Sequence, residues 1–83
     1  SSDVAMLSWI AALPSTLGQV NDLQITSFKY DGQRGEVRIQ ASSSDFQPFE
    51  QARVKLAEKF NVEQGQLNRN GNVVMGSFVL KRQ

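Results

Sequence analysis

The sequence predicts an α+β fold: a two-layer sandwich in which two helices cover one face of a four-stranded antiparallel sheet. Three observations lead there. Segments with helical spacing of apolar residues alternate with segments of period two. The order helix, strand, strand occurs twice. The last strand, VVMGSFVLK at Val73 to Lys81, is apolar on both sides. Its even positions (Val74, Gly76, Phe78, Leu80) share one face, and Val73, Met75 and Val79 share the other. Such a strand needs neighbours on both sides, so it is placed centrally, with its even positions against the helices and its odd ones on a semi-apolar sheet surface.

Composition narrows the function classes. Eighty-three residues form one domain, 1–83, with a single core, since a chain of this size buries only about 60% of its unfolded surface. Net charge is +1 and the basic residues are dispersed, which gives no electrostatic footprint for nucleic acid or acidic lipid. Cysteine and histidine are both absent. That removes thiol nucleophiles, disulfides, thiolate metal sites and the usual imidazole base. No apolar run approaches the roughly 20 residues that cross a bilayer, and no signal peptide is visible. The chain opens on Ser1 rather than Met, which reads as an excised or processed piece whose anchor or address lies elsewhere.

In chain order, Asp3 to Leu13 places Met6, Trp9, Ile10 and Leu13 at spacings of three and four, a short amphipathic helix with Ser2 or Asp3 as cap. Trp9 is read as core or helix edge rather than a ligand platform. Pro14 disfavours helix at Leu13, so the helix ends or kinks there and Ser15 to Leu17 add a turn closed by Gly18. Leu23 to Tyr30 reads as a strand, but the apolar face switches from odd to even positions near Thr26 or Ser27, which predicts a bulge or a late strand start. Asp31 to Arg34 form a four-residue loop leading to Gly35, and Glu36 to Ala41 alternates. That register sets Phe28 opposite Val37 and Thr26 opposite Ile39, so Phe28, Tyr30, Val37, Ile39 and Ala41 share a face, with Arg38 and Gln40 on the other.

The strongest helix runs from Asp45 to Phe60, with Asp45 as cap and Pro48 in its first turn, where a missing N–H costs nothing. Phe49, Ala52, Leu56 and Phe60 form its buried stripe, with Ala57 beside it; Val54 lies well off the stripe. After Gly65, a polar edge strand at Gln66 to Arg69 leads into an Asn70–Gly71 hairpin turn that pairs Leu67 with Val74 and Gly65 with Gly76. Shifting the chain by 39 positions lays Ile10 on Phe49, Leu13 on Ala52, Leu17 on Leu56 and Phe28 on Leu67, so two helix–strand–strand units occupy about 3–41 and 45–81. With the two apolar strands in the middle, the strand order is 1-2-4-3, a circular permutation of the ferredoxin-like fold (αββαββ).

Chemistry is sparse in this pattern. The carboxylates at Asp31, Glu36, Glu50 and Glu63 are scattered, no cofactor or metal constellation forms, and nothing in the spacing marks a Ser–Lys dyad. RNA-binding sheets stack bases on outward aromatics of central strands, but the outward positions here are Arg38, Gln40, Val73, Met75, Ser77 and Val79. Protein contact remains. The candidate interface residues are Val73, Met75 and Val79 on the sheet, Val54 separately, and Thr26, Phe28 and Lys29 on the edge-forming first strand, which could pair with a second copy or a partner.

The run FKYDGQRGEVRIQASSSDFQPFEQARVKLAEKF resembles the C-terminal periplasmic domain of type II secretion system protein L. The resemblance is carried by Tyr30, Asp31 and Gly32, then Gly35, Glu36, Val37 and Ile39, then Asp45, Phe46, Phe49 and Leu56, and finally Gly65, Gly76 and Leu80. It implies a permuted ferredoxin-like periplasmic domain of a bacterial inner-membrane protein, preceded by a membrane span and an actin-like cytoplasmic domain. It also implies a noncatalytic assembly role, with homodimerisation, pairing with the periplasmic domain of protein M, and pseudopilins as further candidate partners. The rival readings are a dimerisation domain of type IV pilus assembly and a small-molecule-binding regulatory domain.

Overall fold

The computed structural model describes residues 2–83, with side chains from Val4 onward, so a side-chain cap from Ser2 or Asp3 lies outside the described side chains. The chain runs α1 (Ser2–Ala11), α2 (Leu13–Gly18), β1 (Gln24–Asp31), β2 (Glu36–Ser43), α3 (Gln47–Leu56), β3 (Phe60–Gln64), β4 (Asn68–Asn70) and β5 (Val73–Arg82). All strand pairs are antiparallel, in the order β1-β2-β5-β3, with β4 also on β5. This is the permuted ferredoxin-like arrangement with one change: the outer partner of β5 consists of two short pieces rather than one strand.

The core lies between the helices and the two central strands. Val37, Ile39 and Ala41 of β2 and Val74, Phe78 and Leu80 of β5 are buried with Phe49, Ala52 and Leu56 of α3 and with Met6, Leu13, Leu17 and Val20. Gly76 lies in this face because the Phe49 ring and Leu67 occupy the space its side chain would need; a Cβ there would come within 2.7 Å of Phe49 Cε1. The amino-terminal helix divides in two near Pro14, but the break falls at Ala12 rather than Leu13: Leu13 opens α2, Pro14 stands in its first turn, and Gly18 is its last residue with Gln19 as the cap. Trp9 is half-buried and meets Phe60 edge-on, centroids 6.2 Å apart.

Four further local expectations need correction. First, α3 ends at Leu56, so Phe60 opens β3 instead of completing a helical stripe, and Ala57 is exposed. Phe60 is still buried, because the chain reverses beneath it to pair with Arg82. Second, Asp45 does not cap α3; its Oδ1 accepts the N–H of Phe46 at 2.7 Å, and Phe46 occupies the cap position. Third, the β1–β2 register is displaced by two residues, pairing Phe28 with Ile39 and Tyr30 with Val37. Asp31 belongs to the strand, and its Oδ1 caps the loop by accepting the N–H groups of Gln33 (3.0 Å) and Arg34 (3.1 Å). Fourth, Asn70 pairs with Val73, so the hairpin turn is Gly71–Asn72, with Gly71 at φ +64° in its first position. A two-residue hairpin accepts glycine at either central position, which is why the dipeptide alone misplaces the pairing by two. Because both errors are even, the faces are preserved, and Leu67 covers Gly76 rather than standing opposite Val74.

The expected bulge is present: the β1–β2 register shifts between Ile25 and Ser27, and Thr26 sits in the irregularity. On the outer side of β5 the register changes between β3 and β4, and the Gly65 N–H donates to the Ser77 carbonyl at 2.9 Å across the break.

Candidate interaction surfaces

The sheet face away from the helices is uncovered. Pairing lays Lys29, Arg38, Val79 and Glu63 in one row and Asp31, Glu36, Lys81 and Asn61 in the next. Glu36 is only 4% exposed because Arg38 Nε (3.3 Å) and Arg34 Nη1 (3.7 Å) close over its carboxylate, and Lys81 reaches Glu63 at 3.7 Å. Val79 is half-buried between these charges, whereas Met75, across from Ser42 and Asn68, and Val73, beside the turn, are exposed. The structure thus brings Lys29, Val73, Met75 and Val79 onto one surface, most of it occupied by ion pairs.

The β1 edge is different in kind. This strand pairs with β2 alone, leaving its second row of backbone groups open. The bulge turns Ile25 to the same side as Phe28 and Tyr30, opposite the buried Ala41, Ile39 and Val37. The helices cover the middle of the sheet and stop short of this strand, so Ile25, Phe28 and Tyr30 remain 39%, 42% and 48% exposed. Tyr30 shares a cleft of about 340 Å³ with Met6 and Leu7 of α1, and Leu7 is itself exposed, so the stripe continues onto the helix. The sequence placed Thr26 to Tyr30 on a candidate edge strand, with Phe28 and Tyr30 on one face; the exposure of Ile25, Phe28 and Tyr30 was not legible, because alternation assigns a face without saying how far the helices reach.

Val54 stands apart on the outer side of α3 between Glu50 and Glu58. Glu50 is held below the usual carboxylate range by its hydrogen bond from Arg53 (Nη2 to Oε1, 2.6 Å), a solvated ion pair. Among the described residues Asp22 accepts the most hydrogen bonds of any carboxylate, and it is a non-glycine residue at φ 60°. Its Oδ2 accepts from the Ser44 hydroxyl, the Ser44 N–H (3.1 Å) and the Ser43 hydroxyl (3.3 Å), and the Ser44 hydroxyl bond is the main cause of its lowered pKa. Asp22 therefore ties the turn before β1 to the connection after β2, which is an architectural role. Among the described residues no three His, Cys, Asp or Glu side chains cluster as metal ligands, and no helix is long and apolar enough to cross a membrane.

Comparison with known proteins places this geometry. The family described as the GspL periplasmic domain matches residues 5–82. Type II secretion system protein L of Vibrio cholerae serotype O1 is 53% identical over 77 residues, covering 93% of this chain and 19% of that protein. Type II secretion system protein L of Pectobacterium carotovorum subsp. carotovorum is 28% identical over 79 residues, 95% of this chain and 19% of that protein. The chain thus spans about a fifth of the length of these relatives. Among solved structures, the periplasmic domain of EpsL from Vibrio parahaemolyticus superposes with a TM-score of 0.91 at 90% identity, covering 96% of each chain. The periplasmic domain of XcpY shares the fold, with a TM-score of 0.81 at 23% identity over 89% of this chain and 96% of that one. The chain belongs to the GspL periplasmic domain family, the L component of type II secretion systems.

Proposed function

We propose that this domain is a noncatalytic contact module of the type II secretion inner-membrane platform, and that it homodimerises and exchanges onto the periplasmic domain of protein M. The observation carrying this reading is the β1 edge: eight residues with an open backbone row, flanked by the exposed Ile25, Phe28 and Tyr30. An edge of this kind recruits another strand through main-chain hydrogen bonds, while the apolar stripe supplies the buried area. A second copy or a partner of the same architecture would extend the sheet and cover the stripe. On this reading Thr26, Phe28 and Lys29 lie at the contact. Met75, Val73 and Val79 form a secondary surface, and Val54 stays outside it. Tethering such domains in the inner membrane raises their effective concentration, so a weak contact in solution suffices.

Sedimentation equilibrium over a wide concentration range, alone and with the protein M periplasmic domain, tests the proposal. The expected result is a concentration-dependent dimer that yields a mixed species when protein M is added. Phe28→Asp abolishes both, and Met75→Asp leaves both in place. A domain that stays monomeric alone and with protein M overturns the reading. Dimers that survive Phe28→Asp but not Met75→Asp move the contact to the open sheet face.

A further inference from the structure

The cations of this domain differ in how they are held. Arg34, Arg38, Arg53, Arg69 and Lys81 each lie within 4.0 Å of a carboxylate. Lys55 and Lys59 have no carboxylate partner among the described residues: Lys55 Nζ donates to the Gln19 side-chain oxygen at 3.4 Å, and Lys59 Nζ stands 5.8 Å from the centre of the Trp9 ring. These two lysines flank one slot, walled by Trp9, Leu13, Leu56 and Phe60 where α1 and α2 meet the end of α3. Its volume is about 100 Å³, roughly three times the 30 Å³ share of one liquid water, which is room for a single aliphatic side chain. No acidic residue lines it.

We propose that this slot binds a partner segment in which one leucine- or methionine-sized side chain is flanked by carboxylates. The aliphatic group fills the apolar slot, displacing water from the Trp9 and Phe60 rings, and the flanking acids meet Lys55 and Lys59 at its mouth. A free anion lacks the apolar part, and an uncharged apolar segment leaves both ammonium groups without a carboxylate partner. Occupancy moves Lys59 from the Trp9 face toward a carboxylate, so it changes the environment of the indole. The site lies on the helix layer, away from the β1 edge, and stands independently of the dimer proposal.

Trp9 is the only tryptophan in the sequence, so its fluorescence reports the slot directly. The peptide acetyl-Asp-Leu-Glu-amide is titrated into the 83-residue domain, with acetyl-Asp-Gly-Glu-amide and acetyl-Lys-Leu-Lys-amide as controls; amide NMR shifts locate the response. The acidic leucine peptide gives a saturable change centred on Leu13 and Thr16, weakened by added salt, while the glycine and lysine peptides give none. Lys55→Gln and Lys59→Gln each weaken binding about threefold, as expected of exposed charge pairs. The double variant Lys55→Glu/Lys59→Glu, confirmed folded by circular dichroism, reverses the preference toward the lysine peptide. Phe28→Asp leaves the titration unchanged, so failure here and failure of the edge contact are told apart. No saturable change, equal responses to all three peptides, or shifts centred away from the slot would each overturn the proposal.

Discussion

Replacing Gly76 with alanine tests the packing of the core against the central strand β5. The added Cβ would lie 2.7 Å from Phe49 Cε1 and 3.1 Å from Cδ1, while ordinary carbon contacts begin near 3.5 Å. The ring would have to retreat by nearly 1 Å, yet Phe49 is 0% exposed and backed by Phe78, their centroids 6.1 Å apart. Leu67 blocks the other side. Overpacking of this kind costs about 1–3 kcal/mol, offset by about 0.4–1 kcal/mol from the narrower unfolded ensemble of alanine. A net loss of about 1–2 kcal/mol lowers Tm by roughly 5–15 °C in a domain of this size. Urea unfolding followed by circular dichroism should show the midpoint falling at constant slope. Combining Gly76→Ala with Leu67→Ala should cost less than the sum of the two single changes, because the second opens space for the first. A neutral or stabilised Gly76→Ala would refute the reasoning, since Phe49 and Leu67 would then be free to move.

Further expectations follow from the turns. Hydrogen bonds from Ser44 lower the pKa of Asp22, so its contribution is present above the ordinary aspartate range and is lost as pH falls through the depressed folded value. Asp22→Asn keeps a residue tolerant of positive φ and removes the charge; its stability deficit in urea should therefore be largest at neutral pH and shrink in acid. Asp31→Ala leaves the Gln33 and Arg34 N–H groups without their acceptor. It should cost about 1 kcal/mol and speed amide exchange in the loop while leaving the β2–β5 amides protected.

How far each element was legible depended on what holds it. Alternation at Glu36 to Ala41 and Val73 to Lys81, and spacing at Phe49, Ala52 and Leu56, are properties of a residue and its near neighbours. They placed β2, β5 and α3 and the face each one buries. The face switch at Thr26 announced the bulge for the same reason. Phe60 marks the limit: its spacing from Leu56 suits a helix, yet the core accepts its ring equally well from a strand, and only the requirement that the chain return along β5 chooses between them. The candidate contact divides likewise. Phe28 and Lys29 could be placed on an exposed edge from strand polarity, but the apolar stripe of Ile25, Phe28 and Tyr30 exists because the helix layer ends before β1.

The sequence by itself determined the central strands β2 and β5 and the helix α3 before β3, the side each central residue faces and the absence of cysteine and histidine chemistry, because these are set by composition and by periods of 2 and 3.6 residues along the chain. Tertiary structure alone decided the exact pairing registers, the splitting of the outer strand into β3 and β4, and the opposed placement of the β1 stripe and the Trp9 slot. Those depend on which surfaces remain uncovered once every element competes for the same core, and no window of neighbouring residues contains that competition.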